Sequence, residues 1–306
     1  MKTNLKIASP WSQLALFLVL LGAGWILAIL VGGGVLVAKL GIHEIHGGMD
    51  LSDPRLVGVL KAIQALSTVI IFGIPAFGYA WRTFRERPIR YLGFHPADKT
   101  LFYLLAILLL ICCIPLEGWL GQLNKGISLP GWMVKSEADA DKQITAFLKA
   151  DSPLQVINNI FIIALLPAIF EEACFRGALQ RIMIRLFKNP WTGIIVTSIF
   201  FSAFHFQFQG FLPRFLLGAL LGAAYWYSGS LWVSILAHFF INGSQVVAVI
   251  YYPKFMNENP SVPLFTALIS LAIVVGLLYI MHRQSKITYA RVYEEGMTDE
   301  FDGFPS

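Results

Sequence analysis

The chain has 306 residues, 57% of them hydrophobic and only 13% charged, with a mean hydropathy of +0.67, whereas soluble domains carry about 25% charged residues. This is a membrane composition, and it excludes disordered, collagen-like and small secreted classes. The net charge of +5 is scattered between apolar runs, which argues against nucleic-acid binding, and three cysteines, two of them adjacent at Cys112 and Cys113, cannot frame an extracellular disulfide scaffold.

A spanning helix needs roughly 20 mostly apolar residues. Eight such runs occur, at about 12–38, 62–81, 101–121, 154–175, 191–208, 211–228, 231–252 and 263–281. The first follows Lys2 and Lys6, as a signal peptide would. Its apolar stretch is far longer than the roughly 7 to 15 residues of a signal core, so a retained helix is expected. The sixth follows the fifth closely and carries Arg214 near its start. The expected fold is therefore all-α: a polytopic membrane protein of about eight helices around a polar intramembrane cavity. It forms one integral domain over 1–306, with a motif core at 154–252 and an acidic cytoplasmic tail at 284–306.

Short cytoplasmic loops are enriched in Lys and Arg. With the N-terminus inside, the inner segments hold 14 of the 23 basic residues, including the clusters Arg82 to Arg90 and Arg176 to Lys188. Both termini are thus expected in the cytoplasm, in agreement with an even helix count. The acidic residues Glu294, Glu295, Asp299, Glu300 and Asp302 read as a solvated end. Segment 122–153 mixes charges with Ile144, Phe147 and Leu148. It reads either as an amphipathic helix on the outer face or as a plain connecting loop.

Ionisable residues inside spans cost about 2.5 to 3.5 kcal/mol each, so they usually face a cavity and serve a purpose. Here they are concentrated. The fourth run ends with Glu171, Glu172 and Arg176, the fifth holds His205, and the seventh holds His238 and Asn242. At 100° per residue, Ser198, Ser202, His205 and Gln209 fall within about 60° of one another, and Ser234, His238, Asn242 and Gln245 within about 80°. Asn158 projects within about 40° of Glu172. Three polar stripes can thus turn towards one wet cavity.

Adjacent carboxylates point about 100° apart, so Glu171 and Glu172 cannot serve the same group. Arg176 follows Glu172 by four, the spacing at which a carboxylate and a guanidinium meet, which leaves Glu171 as the candidate base. The division is geometric, and the reverse assignment uses the same residues. His205 could share the proton of an activated water or bind a metal. His238 and Asn242, one turn apart, supply two donors suited to an oxyanion. Glu171, His205 and His238 also form a candidate Zn²⁺ set without a His-Glu-x-x-His helix, and spacing alone does not choose between metal-bound and glutamate-activated water. No organic cofactor is indicated. Cys174 reads as a small apolar filler, and Glu117 as interfacial. Gly218 and Gly222 read as a small-xxx-small face for close helix packing.

The ordered motifs Glu-Glu-x-x-x-Arg (Glu171, Glu172, Arg176), Phe-x-x-x-His (Phe201, His205) and His-x-x-x-Asn (His238, Asn242) resemble the CPBP family. That family comprises type II CAAX prenyl endopeptidases and the bacteriocin-processing or immunity proteins called Abi. The resemblance implies an intramembrane endopeptidase, commonly labelled a metalloprotease, whose cavity opens to the cytoplasm. It implies Glu171 and His205 as water activators, and His238 with Asn242 as the oxyanion site. The implied partners are a peptide or protein substrate, lipidated or membrane-embedded, and the bilayer, with no nucleic acid. Two other function classes use the same residues: a non-catalytic immunity or scaffold protein binding a peptide or helix in the cavity, and a transporter using the carboxylates as a proton relay. No inverted repeat or paired broken helices favour the transporter.

Overall fold

A computed structural model gives the fold and describes residues 5–41, 51–84, 86–252 and 261–295. Among these the protein is helical, with one isolated bridge between Leu5 and Phe84 and no strand. The acidic positions Asp299, Glu300 and Asp302 lie outside the described residues.

Nine long helices follow in order: α1 (Pro10–Leu40), α2 (Pro54–Thr83), α3 (Leu101–Lys125), α4 (Gly131–Leu148), α5 (Pro153–Phe187), α6 (Pro190–Ala203), α7 (Phe211–Ser228), α8 (Leu231–Tyr251) and α9 (Leu264–Gln284). Four of them begin with the same local device. Ser9, Asp53, Ser152 and Asn189 each cap a helix through the side chain, and a proline follows at once. The cap satisfies an orphan N–H, while proline lacks a donor that would otherwise be unmade there.

Six helices, α1, α2, α3, α5, α8 and α9, are long and apolar enough to cross a membrane. The fifth and sixth apolar runs form shorter elements. α6 stops at Ala203 rather than continuing to 208, and its 14 residues reach about 21 Å against a hydrocarbon core of about 30 Å. With α7 it makes a hairpin whose turn, 204–210, is half-buried apart from the exposed Phe206.

Segment 122–153 resolves in favour of the amphipathic helix. α4 buries Ala146, Phe147 and Leu148 and turns Trp132 and Val134 outward. α3 contains Pro115, which cannot donate to the preceding turn. Ser270 of α9 repairs the break, its Oγ donating to the Cys112 carbonyl and accepting from Leu116 N.

α5 is interrupted twice by wide π turns, Ile160–Leu165 and Ala173–Gln180. A π turn holds one residue more than an α turn and so rotates everything beyond it by roughly 100°. This overturns the expected place of Asn158, which is exposed. Asn159 is the buried residue instead, its Oδ1 accepting from Lys61 Nζ of α2 at 2.7 Å.

Arg176 and Arg181 were counted among the cytoplasmic basic residues, but both lie within α5 and are fully buried. Arg181 stacks on the Tyr91 ring, 3.4 Å from its centroid, and donates to the Tyr91 carbonyl. Gly218 and Gly222 bring α7 close to α6, a Cβ at Gly218 meeting Ser198 Cα at 3.3 Å and one at Gly222 meeting Ile194 Cγ2 at 3.0 Å, and their backbone carbonyls accept from Arg176 Nη2 and Gln180 Nε2 of α5, each at 3.0 Å. A Cβ at Gly222 would lie 2.6 Å from Gln180 Oε1.

Candidate active site

Glu171 and Glu172 sit in the last turn of regular helix before the second π segment of α5. Their divergence is the one expected of neighbours on a helix. Glu172 is wholly buried, and its Oε1 accepts from Arg176 Nη1 at 2.8 Å. Glu171 turns towards a cavity lobe of about 520 Å³, and its Oε2 is buried with no hydrogen-bond partner among the described residues.

The same Glu172 oxygen also accepts from His238 Nδ1 of α8 at 2.9 Å. A carboxylate already taking a guanidinium proton can only accept from the ring, so Nδ1 carries a hydrogen and Nε2 is the free ring atom. Helical spacing could not reveal this contact, which crosses 66 residues of sequence. Arg176 is fixed from three sides, by Glu172, by the Gly218 carbonyl and by the Phe201 ring 4.3 Å beneath its guanidinium.

His205 lies just past the end of α6. The projected stripe of Ser198, Ser202, His205 and Gln209 therefore does not exist as a face: Ser198 Oγ donates to the Ile194 carbonyl, Ser202 Oγ donates to the Phe211 carbonyl, and His205 occupies the turn. His205 Nδ1 stands 2.9 Å from the Phe201 carbonyl, which can only accept. That fixes the hydrogen on Nδ1 and leaves Nε2 as the second polar atom of the ring. The stripe on α8 survives, since that helix is unbroken, and His238, Asn242 and Gln245 line a second lobe of about 230 Å³.

His205, Asn242, Arg214 and Gln245 border both lobes, so the two form one polar space. Glu117 of α3 also lines it. The turn carrying His205 is clamped from neighbouring helices. Asn124 donates through Nδ2 to the Phe208 carbonyl at 2.8 Å and accepts from Leu212 N at 2.7 Å, while Glu137 of α4 accepts from Gln209 N at 2.9 Å. Sequence reading found none of these clamps, because Asn124 and Glu137 fall in segments with no local pattern tying them to the motifs.

Among the described residues no three His, Cys, Asp or Glu side chains come together as a metal-holding group. His238 donates through Nδ1 to Glu172 and His205 through Nδ1 to a backbone carbonyl, which leaves Nε2 of each ring as its remaining polar atom.

The wide lobe is lined by Ala140, Gln143, Ile144 and Phe147 of α4, by Gln64 of α2, and by Ile162, Ile163 and Pro167 of α5. α4 joins α3 to α5 on the side opposite the loops with the Arg82 to Arg90 and Arg185 to Lys188 clusters.

Three comparisons bear on this site. Residues 153–244, which contain all seven motif residues, match the Rce1-like family of type II CAAX prenyl endopeptidases. Over 124 residues the chain is 32% identical to a protein of Escherichia coli titled "Uncharacterized 24.3 kDa protein", a stretch covering 38% of this chain and 51% of that one. The chain thus spans about half the length of this curated relative. No solved structure matches it.

Proposed function

We propose that this chain, whose segment 153–244 belongs with the Rce1-like type II CAAX prenyl endopeptidases, hydrolyses a peptide bond in a peptide or protein substrate within the membrane. The observation supporting this reading is the convergence of Glu171, His205, His238 and Asn242 on one buried polar cavity, with Glu172 and Arg176 behind them.

Glu171 takes a proton from water, and the resulting hydroxide oxygen attacks the scissile carbonyl carbon. His205 Nε2 accepts a hydrogen bond from the same water and keeps it aimed. As the carbonyl becomes tetrahedral, its oxygen acquires negative charge, which Asn242 stabilises by donating to it, with the His238 ring beside it in the same lobe. Glu172, one hydrogen bond from His238, orients that ring, and Arg176 holds Glu172 in place. Collapse of the intermediate breaks the C–N bond, and the leaving amine takes the proton held by Glu171. Glu172 and Arg176 are positioning residues in this scheme, since each acts through His238.

Incubating purified protein in lipid nanodiscs with a mixed peptide library, read by mass spectrometry, tests the reading. Wild type should cut a subset of peptides, and Glu171→Gln should cut none while eluting as wild type does in gel filtration. Cys174→Ala should retain full activity, because the thiol is buried to 1% exposure. Undiminished hydrolysis by Glu171→Gln would refute the assignment, and loss in the cysteine variant alone would point to a thiol nucleophile.

A further inference from the structure

α4 is fastened to the rest of the protein unevenly. Its last turn is anchored by the buried Ala146, Phe147 and Leu148, whereas over residues 131–145 the single buried residue is Glu137. A carboxylate is a costly choice for such a place unless it is hydrogen-bonded. Here it is, because Glu137 accepts from the backbone N–H of Gln209 at 2.9 Å. Five residues earlier on the same helix, the Trp132 ring meets Phe208 edge to face, with centroids 5.7 Å apart and planes at 84°. The front of α4 thus grips the chain three and four residues beyond His205.

That stretch needs holding. Phe206, directly after His205, has a φ of 52°, a left-handed conformation that a bulky residue keeps only when its surroundings impose it. His205 lies past the end of α6, so no helix fixes its backbone, and one contact, from Nδ1 to the Phe201 carbonyl at 2.9 Å, orients the ring. If the chain from 206 onward relaxes, the aim of Nε2 changes with it. Asn124 of α3 secures Phe208 and Leu212, and Glu137 adds its acceptor between those two points.

α4 is also a wall of the cavity. Ala140, Gln143, Ile144 and Phe147 line the lobe of about 520 Å³ towards which Glu171 turns. The helix that a peptide in this lobe would lie against is therefore the helix that holds the His205 turn. We propose that Glu137 is a positioning residue for His205, through which the seating of α4 on the cavity sets the aim of the His205 ring. This inference rests on the peptidase reading and adds to it a residue outside the motifs that governs the rate of hydrolysis, while the apolar wall that receives the peptide is left to other residues of α4.

The test reads the His205 ring directly. Histidine Cε1–H resonances are recorded by NMR on the whole chain in micelles, with those of His205 and His238 assigned from His205→Gln and His238→Gln. Glu137→Leu occupies similar space without an acceptor, and it should displace the His205 resonance while leaving that of His238 in place. Glu137→Gln keeps an acceptor oxygen and should leave both unmoved. Trp132→Leu, at a residue 64% exposed, should displace the His205 resonance to a smaller extent. On the peptide that wild type cuts fastest from the mixed library, Glu137→Leu should lower kcat about tenfold with little change in KM, the lower end for losing a hydrogen bond to a charged group. Glu137→Gln should recover most of that rate.

An unmoved His205 resonance in Glu137→Leu, an equal displacement in Glu137→Gln, or a displacement shared by His238 would overturn the coupling. Should Glu137→Leu not fold, Trp132→Leu decides by the same signal, an unmoved resonance there being the refuting result. Resonances that behave as expected with no cleavage by wild type would overturn the peptidase reading and leave the coupling standing. Undiminished kcat in Glu137→Leu would overturn the role of Glu137 in hydrolysis and leave the peptidase reading intact.

Discussion

Removing Arg176 is the sharpest perturbation of the charge network, because the residue is 0% exposed and every group it touches is also buried. Arg176→Ala deletes the 2.8 Å ion pair to Glu172, the bond to the Gly218 carbonyl and the contact over Phe201. It leaves Glu172 with only His238 as a partner. Breaking a buried pair by losing one member costs about 3 to 5 kcal/mol. With an unfolding entropy scaled to this length, that is a fall in melting temperature of roughly 5 to 8 °C. Glu172→Gln should cost less, since an amide oxygen still accepts from both neighbours. The double variant Glu172→Gln with Arg176→Ala should recover part of the loss, with a coupling of about 0.5 to 3 kcal/mol. Hydrolysis should stay low in the double variant, because the carboxylate that orients His238 is gone. Differential scanning fluorimetry and peptide hydrolysis on the four proteins complete the cycle. Strictly additive melting shifts would refute the pairing.

Two further predictions follow from packing and topology. Gly193→Ala should destabilise by about 1 to 3 kcal/mol, because its Cβ would stand 2.7 Å from the backbone nitrogen of Ile184 where α6 turns back on α5; Gly33→Ala, with nothing within 4 Å, should be neutral or slightly stabilising in the same thermal assay. With the basic loops cytoplasmic, a cysteine at Arg87 should react with an impermeant thiol reagent only after permeabilisation, whereas one at Ser136 should react in intact cells. The opposite labelling would invert the orientation.

Much of the fold was legible because it depends on local quantities. Run length and hydropathy locate the spanning helices. The i, i+4 spacing of Glu172 and Arg176 sufficed for their pairing, since that geometry survives whatever surrounds it. Projections over longer stretches failed where the helix itself changed. The π turn at Ile160–Leu165 rotated Asn158 out of place, and the end of α6 at Ala203 detached His205 from the serines before it.

Residues separated by many turns and joined only through space lay beyond the sequence. Glu172 meets His238 across 66 residues, Asn124 reaches Phe208 across 84, and Glu137 reaches Gln209 across 72. The sequence by itself determined which polar residues had to leave the lipid, because the cost of burying them there is a property of each side chain. Which of them face one another, which nitrogen of each histidine is left free, and that Arg214 shares their cavity were decided by how the helices pack, since hydrogen bonds are made between particular atoms at particular distances.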